Sequence, residues 1–378
     1  MIIHMIGNAH IDPVWLWRWP EGMSEMISTC RTMVKMLNES DDLVFTKGEA
    51  AMYEWIERTD PFLFRQIQDL VKTGRWNIVN GWWVQPDCNL PNGESFVRQS
   101  LYGKRYFSEK FKVDVRVGYN VDSFGHAGSL PQILKKSGFD YYVFMRPGPQ
   151  EKVLPSVFYW KASDESEVIA FRLTPAYTAR KSDLEKQIKT SMKDMPNFLN
   201  STMSFYGVGN HGGGPTMAQV KYIRKHKKFD ENTILEFSSP EKYFDSIKDK
   251  TSKLPIVEDE LQYHSIGAYS VNSKMKFLNR KSENALLTAE KFATLANIIC
   301  GIDYSYSELE NAWKTLLFNQ FHDLLGGTAI KEAYEDAYNE LGSVISTAEK
   351  IKQISMQSII KDINTEGNGM PFVVFNPS

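Results

Sequence analysis

Through residues 1–240, short runs rich in β-branched and aromatic side chains alternate with amphipathic segments, and nothing else in the chain restricts its fold as much. The strand-like runs are 1–7, 43–47, 76–83, 115–122, 141–146, 167–173, 203–208 and 233–238. Helix-like segments at 21–38, 50–73, 93–110, 128–137, 183–200 and 216–229 fall between most of them. Parallel strands need a crossover connection, which is usually a helix, so this alternation implies a parallel sheet with covering helices. The expected α/β domain, an open sheet or a barrel-like (β/α) closure, runs over residues 1–270.

After residue 270 the period changes. "ENALLTAEKFATLANIICG" spaces its apolar residues as a helix and stops at Gly301, a residue suited to a C-cap. "LENAWKTLLFNQFHDLLGG" places Trp313, Leu316, Leu317, Phe321, Leu324 and Leu325 on one stripe, and a third helix is expected at about 330–363. Short links between them predict an antiparallel three-helix bundle over 271–365. "PFVVFNPS" then opens a β-like run, so 366–378 reads as the start of a further, truncated β domain.

At 378 residues, two domains are the default. The net charge of −2 gives no pull toward nucleic acid or an acidic membrane surface. No apolar run approaches the roughly 18 residues of a membrane span, and no signal peptide is visible. Cys30, Cys88 and Cys300 form no CxxC motif, which suits a reducing compartment, and a cytoplasmic location is expected.

Parallel sheets bind ligands at the carboxyl ends of their strands. The first run delivers His10 and Asp12 there. The third delivers Trp82, Trp83 and Asp87 in "NGWWVQPD", and the fourth Asp122 and His126. The fifth ends at Arg146, and the seventh at a glycine-rich loop holding Asn210 and His211. His10-x-Asp12 alone reads equally as a turn, and Asp122 as a helix N-cap. His322, beside Asp323 near the end of an otherwise apolar helix, needs a partner or caps its own helix. Two imidazoles and two carboxylates from distant segments compose a suitable N/O donor set for Zn2+. Trp15, Trp17 and Trp19 read as packing or, for Trp15 beside a metal ligand, as a face for a pyranose ring. Arg146 reads as a salt-bridge residue or a substrate contact. "GNHGGGPT" lacks the Gly-Lys-Ser/Thr ending of a phosphate loop, and no GxGxxG follows the first strand, so a wall of an active site is the better reading.

These blocks together carry a resemblance. "NAHIDPVWLW", "GRWNIVNGWWVQPDCNLPNGESFVRQSLYGKRYF", "NVDSFGHAGSLPQILKKSGFDYY", "KFLNRKSENALLTAEKFATLA" and "AWKTLLFNQFHDLLGGT" make the chain similar to the retaining α-mannosidases of glycoside hydrolase family 38. The resemblance implies a seven-stranded parallel α/β domain, then a three-helix bundle, then β-sandwich domains. It implies His10, Asp12, Asp122 and His322 as zinc ligands and Asp122 as nucleophile. Trp15 would stack on mannose, and Arg146 and Asp323 would serve the sugar pocket. Trp83 and Asp87 join them as expected substrate contacts.

The implied reaction transfers mannose to Asp122 and then to water, with a second group protonating the leaving oxygen. Many relatives place an aspartate in the loop where this chain has Asn210 and His211. His211 is therefore the expected acid/base, with Glu258, Asp259 or Glu260 of "VEDELQYH" as alternatives. The expected partner is a mannose-containing oligosaccharide, with no nucleic acid and no membrane; a homo-oligomer held through further domains is compatible. The rival readings are a zinc-dependent carbohydrate deacetylase, in which the metal activates water, and a mannoside-binding protein with impaired catalysis.

Overall fold

The computed structural model describes residues 1–209 and 213–377. In chain order its first elements are β1 (Ile2–Asn8), α1 (Trp19–Asn38), β2 (Phe45–Lys47), α2 (Ala50–Thr59), α3 (Pro61–Lys72) and β3 (Trp76–Ile78). They are followed by α4 (Gly93–Phe111), β4 (Val117–Asn120), α5 (Leu130–Lys136), β5 (Tyr141–Phe144), β6 (Val157–Lys161) and β7 (Glu167–Arg172). Next come α6 (Leu184–Lys193), β8 (Ser201–Tyr206), α7 (Met217–Lys225), β9 (Ile234–Phe237), α8 (Pro240–Ile247) and β10 (Ile256–Val257). The chain finishes with α9 (Ser273–Cys300), α10 (Tyr306–Asn319), α11 (His322–Leu325) and α12 (Lys331–Lys361).

The strands form two five-stranded sheets. The first runs β3–β2–β1–β8, all parallel, with β9 beside the first half of β1 and β2 beside its last two residues. β1 is the spine: Ile3, Met5 and Ile6 are fully buried, which explains its unbroken apolar run. The second sheet runs β10–β6–β7–β5–β4, in which β4, β5 and β7 are parallel and β6 is antiparallel to β7. The Asn80 amide donates to the Val117 carbonyl (2.8 Å), joining the end of β3 to the start of β4 across the two sheets.

The architecture is therefore a mixed α/β fold with parallel-sheet elements and many helices, but not one purely parallel sheet. The departure is local. Residues 157–161 form a strand that pure strand–helix alternation does not anticipate, folded onto β7 through a turn in which Glu165 takes a positive φ of 69°. The 50–73 segment is also two helices rather than one. Pro61 starts α3, and the Asp60 carboxylate accepts the Leu63 amide (3.0 Å), so the break is chemically specified.

Helix ends elsewhere obey the same rules. Asn92 caps α4, Thr216 and Gln219 form a reciprocal capping box on α7, and Gly301 (φ 70°) closes α9. The long helices α9, α10 and α12 pack on one another. They are tied to α4 by Arg98, which holds both oxygens of Glu290 (2.9 and 2.8 Å), and by buried Glu283, which accepts from Ser95 and Gln320. Residues 366–377 carry no helix or strand, and Phe375 rests edge-on against Phe292. Among the described residues no helix is long and apolar enough to cross a membrane.

Candidate metal centre and active site

The carboxyl end of β1 is pinned by Asn8, whose amide donates to the carbonyls of Tyr177 (2.9 Å) and Tyr206 (3.2 Å). Two residues on, His10 Nε2 lies 2.7 Å from Asp12 Oδ1 and 3.4 Å from Asp122 Oδ2. Asp122 arrives just past β4. From the α10–α11 joint comes His322, its Nε2 3.7 Å from Asp12 Oδ1 and 3.9 Å from Asp122 Oδ2. The ligand atoms of the four side chains all lie within 4.8 Å of one another, and all four residues are buried. Segments more than three hundred positions apart thus converge on one point.

The donor chemistry fits a divalent cation. Four ligands about 2.1 Å from a tetrahedral zinc stand about 3.4 Å apart, and the separations here straddle that value. His322 Nδ1 donates to the Gln85 carbonyl (2.9 Å), which leaves the Nε2 lone pair facing the cluster, and that buried Nε2 has no hydrogen-bond partner. Burial lowers the pKa of His10, but Asp12 and Asp122 outweigh it and raise the pKa to about 10. In the protein alone a protonated His10 supplies the positive charge these carboxylates demand; a bound cation would replace that proton. Burial also holds the His322 imidazole below its ordinary value, which favours the neutral ligand form.

Asp122 is tuned in the opposite sense to most buried acids. Burial alone would raise its pKa, yet His10, Arg146 and His322 hold the carboxyl far below the usual range. Arg146 Nη1 donates to the Asp122 backbone carbonyl (2.6 Å) and to its Oδ1. The Tyr177 hydroxyl donates to Oδ2 (3.2 Å). Arg146 is itself positioned: its carbonyl lies 3.0 Å from His126 Nε2, and His126 Nδ1 lies 2.8 Å from the Tyr142 hydroxyl. Asp323 is the contrasting acid. Burial, reinforced by Asp12, pushes its carboxyl up, while Oδ1 accepts from Thr328 and Oδ2 lies 3.9 Å from His322 Nε2.

The remaining expected residues divide. Trp15 is half-buried, edge-on to Trp17 (5.6 Å), and its carbonyl accepts the Ile330 amide. Asp87 is fully buried, and its Oδ1 accepts the amides of Asn89 and Leu90, so it shapes a turn; its own amide donates to the Gln320 carbonyl, two residues before His322. Trp83 is buried against Tyr106 and beneath the Lys314 ammonium, and none of its described contacts reaches the four ligands. Asn210 and His211 lie outside the described residues. Glu258 pairs with Lys161 (3.1 Å) and Asp259 with Lys152, while Glu260 is exposed.

Two residues at the centre were not singled out from the sequence. Tyr177 follows the end of β7, so the strand-end rule would have reached it. Gln85 lies past β3; besides holding His322 it accepts the Val121 amide (3.2 Å) and donates to Glu49, which forms a buried ion pair with Lys47.

Comparison with known proteins agrees with this geometry. Residues 1–265 match the family described as "Glycosyl hydrolases family 38 N-terminal domain", and residues 262–359 match "Alpha mannosidase middle domain". The chain belongs to glycosyl hydrolase family 38. Curated relatives include "Alpha-mannosidase G" of Dictyostelium discoideum, 29% identical over 94% of this chain and 33% of that protein. An "Alpha-mannosidase" of Saccharomyces cerevisiae is 27% identical over 88% of this chain and 32% of its own. The chain thus spans about a third of the length of the curated relatives it matches. Among solved structures, an alpha-mannosidase from Enterococcus faecalis V583 superimposes with a TM-score of 0.87 over 96% of this chain and 43% of that one, at 20% identity. That likeness concerns the family 38 fold.

Proposed function

We propose that this chain forms the catalytic part of a zinc-dependent, retaining α-mannosidase that removes α-linked mannose from glycans or oligosaccharides. The convergence of His10, Asp12, Asp122 and His322 carries the reading, together with family membership. The two matched segments support a division into an α/β catalytic domain at 1–270 and a three-helix bundle at 271–365. Free thiols at Cys30, Cys88 and Cys300 favour a cytoplasmic setting.

In this reading zinc, when bound, holds sugar hydroxyls and so favours the arrangement found in mannose. The chain's own residues do the rest. Trp15 offers a flat face to the pyranose, and the Asp323 carboxyl hydrogen-bonds a sugar hydroxyl. His10 and Arg146 keep Asp122 ionised, Arg146 and Tyr177 aim its two oxygens, and a carboxylate lone pair attacks the anomeric carbon as the aglycone bond breaks. A proton must reach the leaving oxygen in the same step, and we assign that role to His211. Water, deprotonated by the same group, then releases mannose from Asp122 with its configuration retained.

Trapping with a fluorinated mannoside tests the core of this. The full-length protein is expected to gain the mass of one fluoromannosyl group on the peptide containing Asp122. Steady turnover with no adduct would instead favour a hydrolase in which the metal activates water. Mannose affinity without turnover would mark a binding protein.

A further inference from the structure

Trp19 and Trp83, which the metal centre leaves unexplained, meet in a second pocket of about 560 Å3 that also takes in Trp55 and Phe318. The rings form a chain: Trp19 to Trp55 at 6.4 Å, and Trp55 to Phe318 at 5.7 Å. Trp19 is 37% exposed and Trp55 half-buried, so neither ring is sealed from the pocket.

The polar lining is balanced. Glu54 lies 3.3 Å from both Arg58 and Lys314, and Glu340 accepts from the Asn319 amide (2.6 Å). The other side-chain atom of that buried amide, Asn319 Oδ1, has no hydrogen-bond partner. Two acids and two bases around flat rings repel neither sign of net charge and reward neither. A neutral ligand with one apolar face and a rim of hydroxyls meets both requirements, because its C–H face stacks on indole while carboxylate and guanidinium take the hydroxyls.

Position adds to the argument. Trp19 opens α1 after β1, while Glu54, Trp55 and Arg58 lie on α2 after β2, and Trp83 follows β3. Two of its rings, Trp19 and Trp83, thus come from segments that follow the carboxyl ends of β1 and β3, and β1 also delivers His10 and Asp12. Phe318 precedes His322 by four residues, a span of at most about 14 Å.

We propose that this pocket is a second glycan subsite, holding a neutral hexopyranose unit of a branched substrate whose terminal mannose lies at Asp122. Its ligand class rests on the mannosidase reading. In the full-length enzyme, Trp19→Ala, Trp55→Ala and Arg58→Ala are compared on 4-nitrophenyl α-mannoside, which is too short to span both sites, and on a branched α-mannopentaose. The aryl mannoside should keep its kcat/KM within about twofold, while KM for the pentaose rises about tenfold at similar kcat. Equal effects on the two substrates, or none on the pentaose, would overturn the proposal; Arg58→Ala, an exposed change, guards against a folding artefact. Should the wild type hydrolyse neither substrate, the mannosidase reading fails separately. Calorimetry of the pentaose on Asp122→Asn, with and without Trp55→Ala, then decides: a tenfold loss of affinity upholds the subsite and an unchanged affinity ends it.

Discussion

His322 donates twice to the Gln85 carbonyl, from its imidazole Nδ1–H at 2.9 Å and its backbone N–H at 3.3 Å, and the Gln85 side chain also accepts the Val121 amide beside Asp122. One residue thus sets the orientation of a proposed ligand from the helical part and steadies the backbone beside the proposed nucleophile, Asp122. Gln85→Leu keeps the carbonyl but strands the Val121 N–H and removes a donor to buried Glu49. A stability loss of about 1–3 kcal/mol is expected from the unmet polar groups. Because the ligand's support is loosened, metal affinity should fall about 10- to 100-fold. Urea midpoints and chelator competition measure the two effects; lost stability with intact affinity would confine Gln85 to the fold.

The cluster itself makes a prediction about composition. One zinc per chain should be found by elemental analysis before any chelator treatment. His10→Ala and His322→Ala should each lose it. Removing the cation should also lower the melting temperature, since a ligand that binds only the folded state stabilises it by mass action. A preparation free of transition metal yet fully active would contradict the proposed donor set.

Tyr177 holds Asp122 Oδ2 at 3.2 Å and lies 5.1 Å from the His10 ring. Tyr177→Phe keeps the ring and deletes one hydrogen bond to a charged acceptor, an interaction of about 1.5–3 kcal/mol. A fall in kcat of roughly 10- to 100-fold is expected, with the metal retained. An unchanged kcat would show that Arg146 alone orients the proposed nucleophile, Asp122.

Much of this was legible because it is written in local chemistry. The βα alternation reveals which residues stand at strand ends, the His10-x-Asp12 pair and Asp122 among them, while His322 stands out as an ionisable side chain in an otherwise apolar helix. The hairpin at 157–172 breaks the strand–helix alternation, and only its "ASDES" turn marks it in the sequence. The Asp60-Pro61 break inside 50–73 was also visible as a cap followed by an N1 proline. Trp83 is legible only in part: its place after a strand points to a sugar contact, while the way its ring faces, toward Tyr106 and Lys314, is set by tertiary packing. Gln85 and Glu49 could not be read in advance, because a buried polar network has no sequence period.

Two buried histidines away from the ligand set predict how stability responds to acid. His4 is 5% exposed, with Nδ1 2.8 Å from Ser238 Oγ, Nε2 3.3 Å from Ser246 Oγ and its ring edge-on to Tyr243. Burial, with Lys242 adding to it, pushes its pKa down to about 4. Burial takes His126 to about 3. Both titrate near 6.5 when unfolded, so from there down the unfolded chain binds protons the native one refuses. The stability these neutral rings confer is complete above pH 6.5 and is lost as pH falls toward 4 and 3. At pH 5 each should have given up roughly 2 kcal/mol. Urea midpoints recorded at fixed metal concentration should therefore drop between pH 6.5 and 4, and His4→Gln should flatten that slope by about one proton. An identical slope in the variant would mean that His4 gains its proton in the folded chain as readily as in the unfolded one.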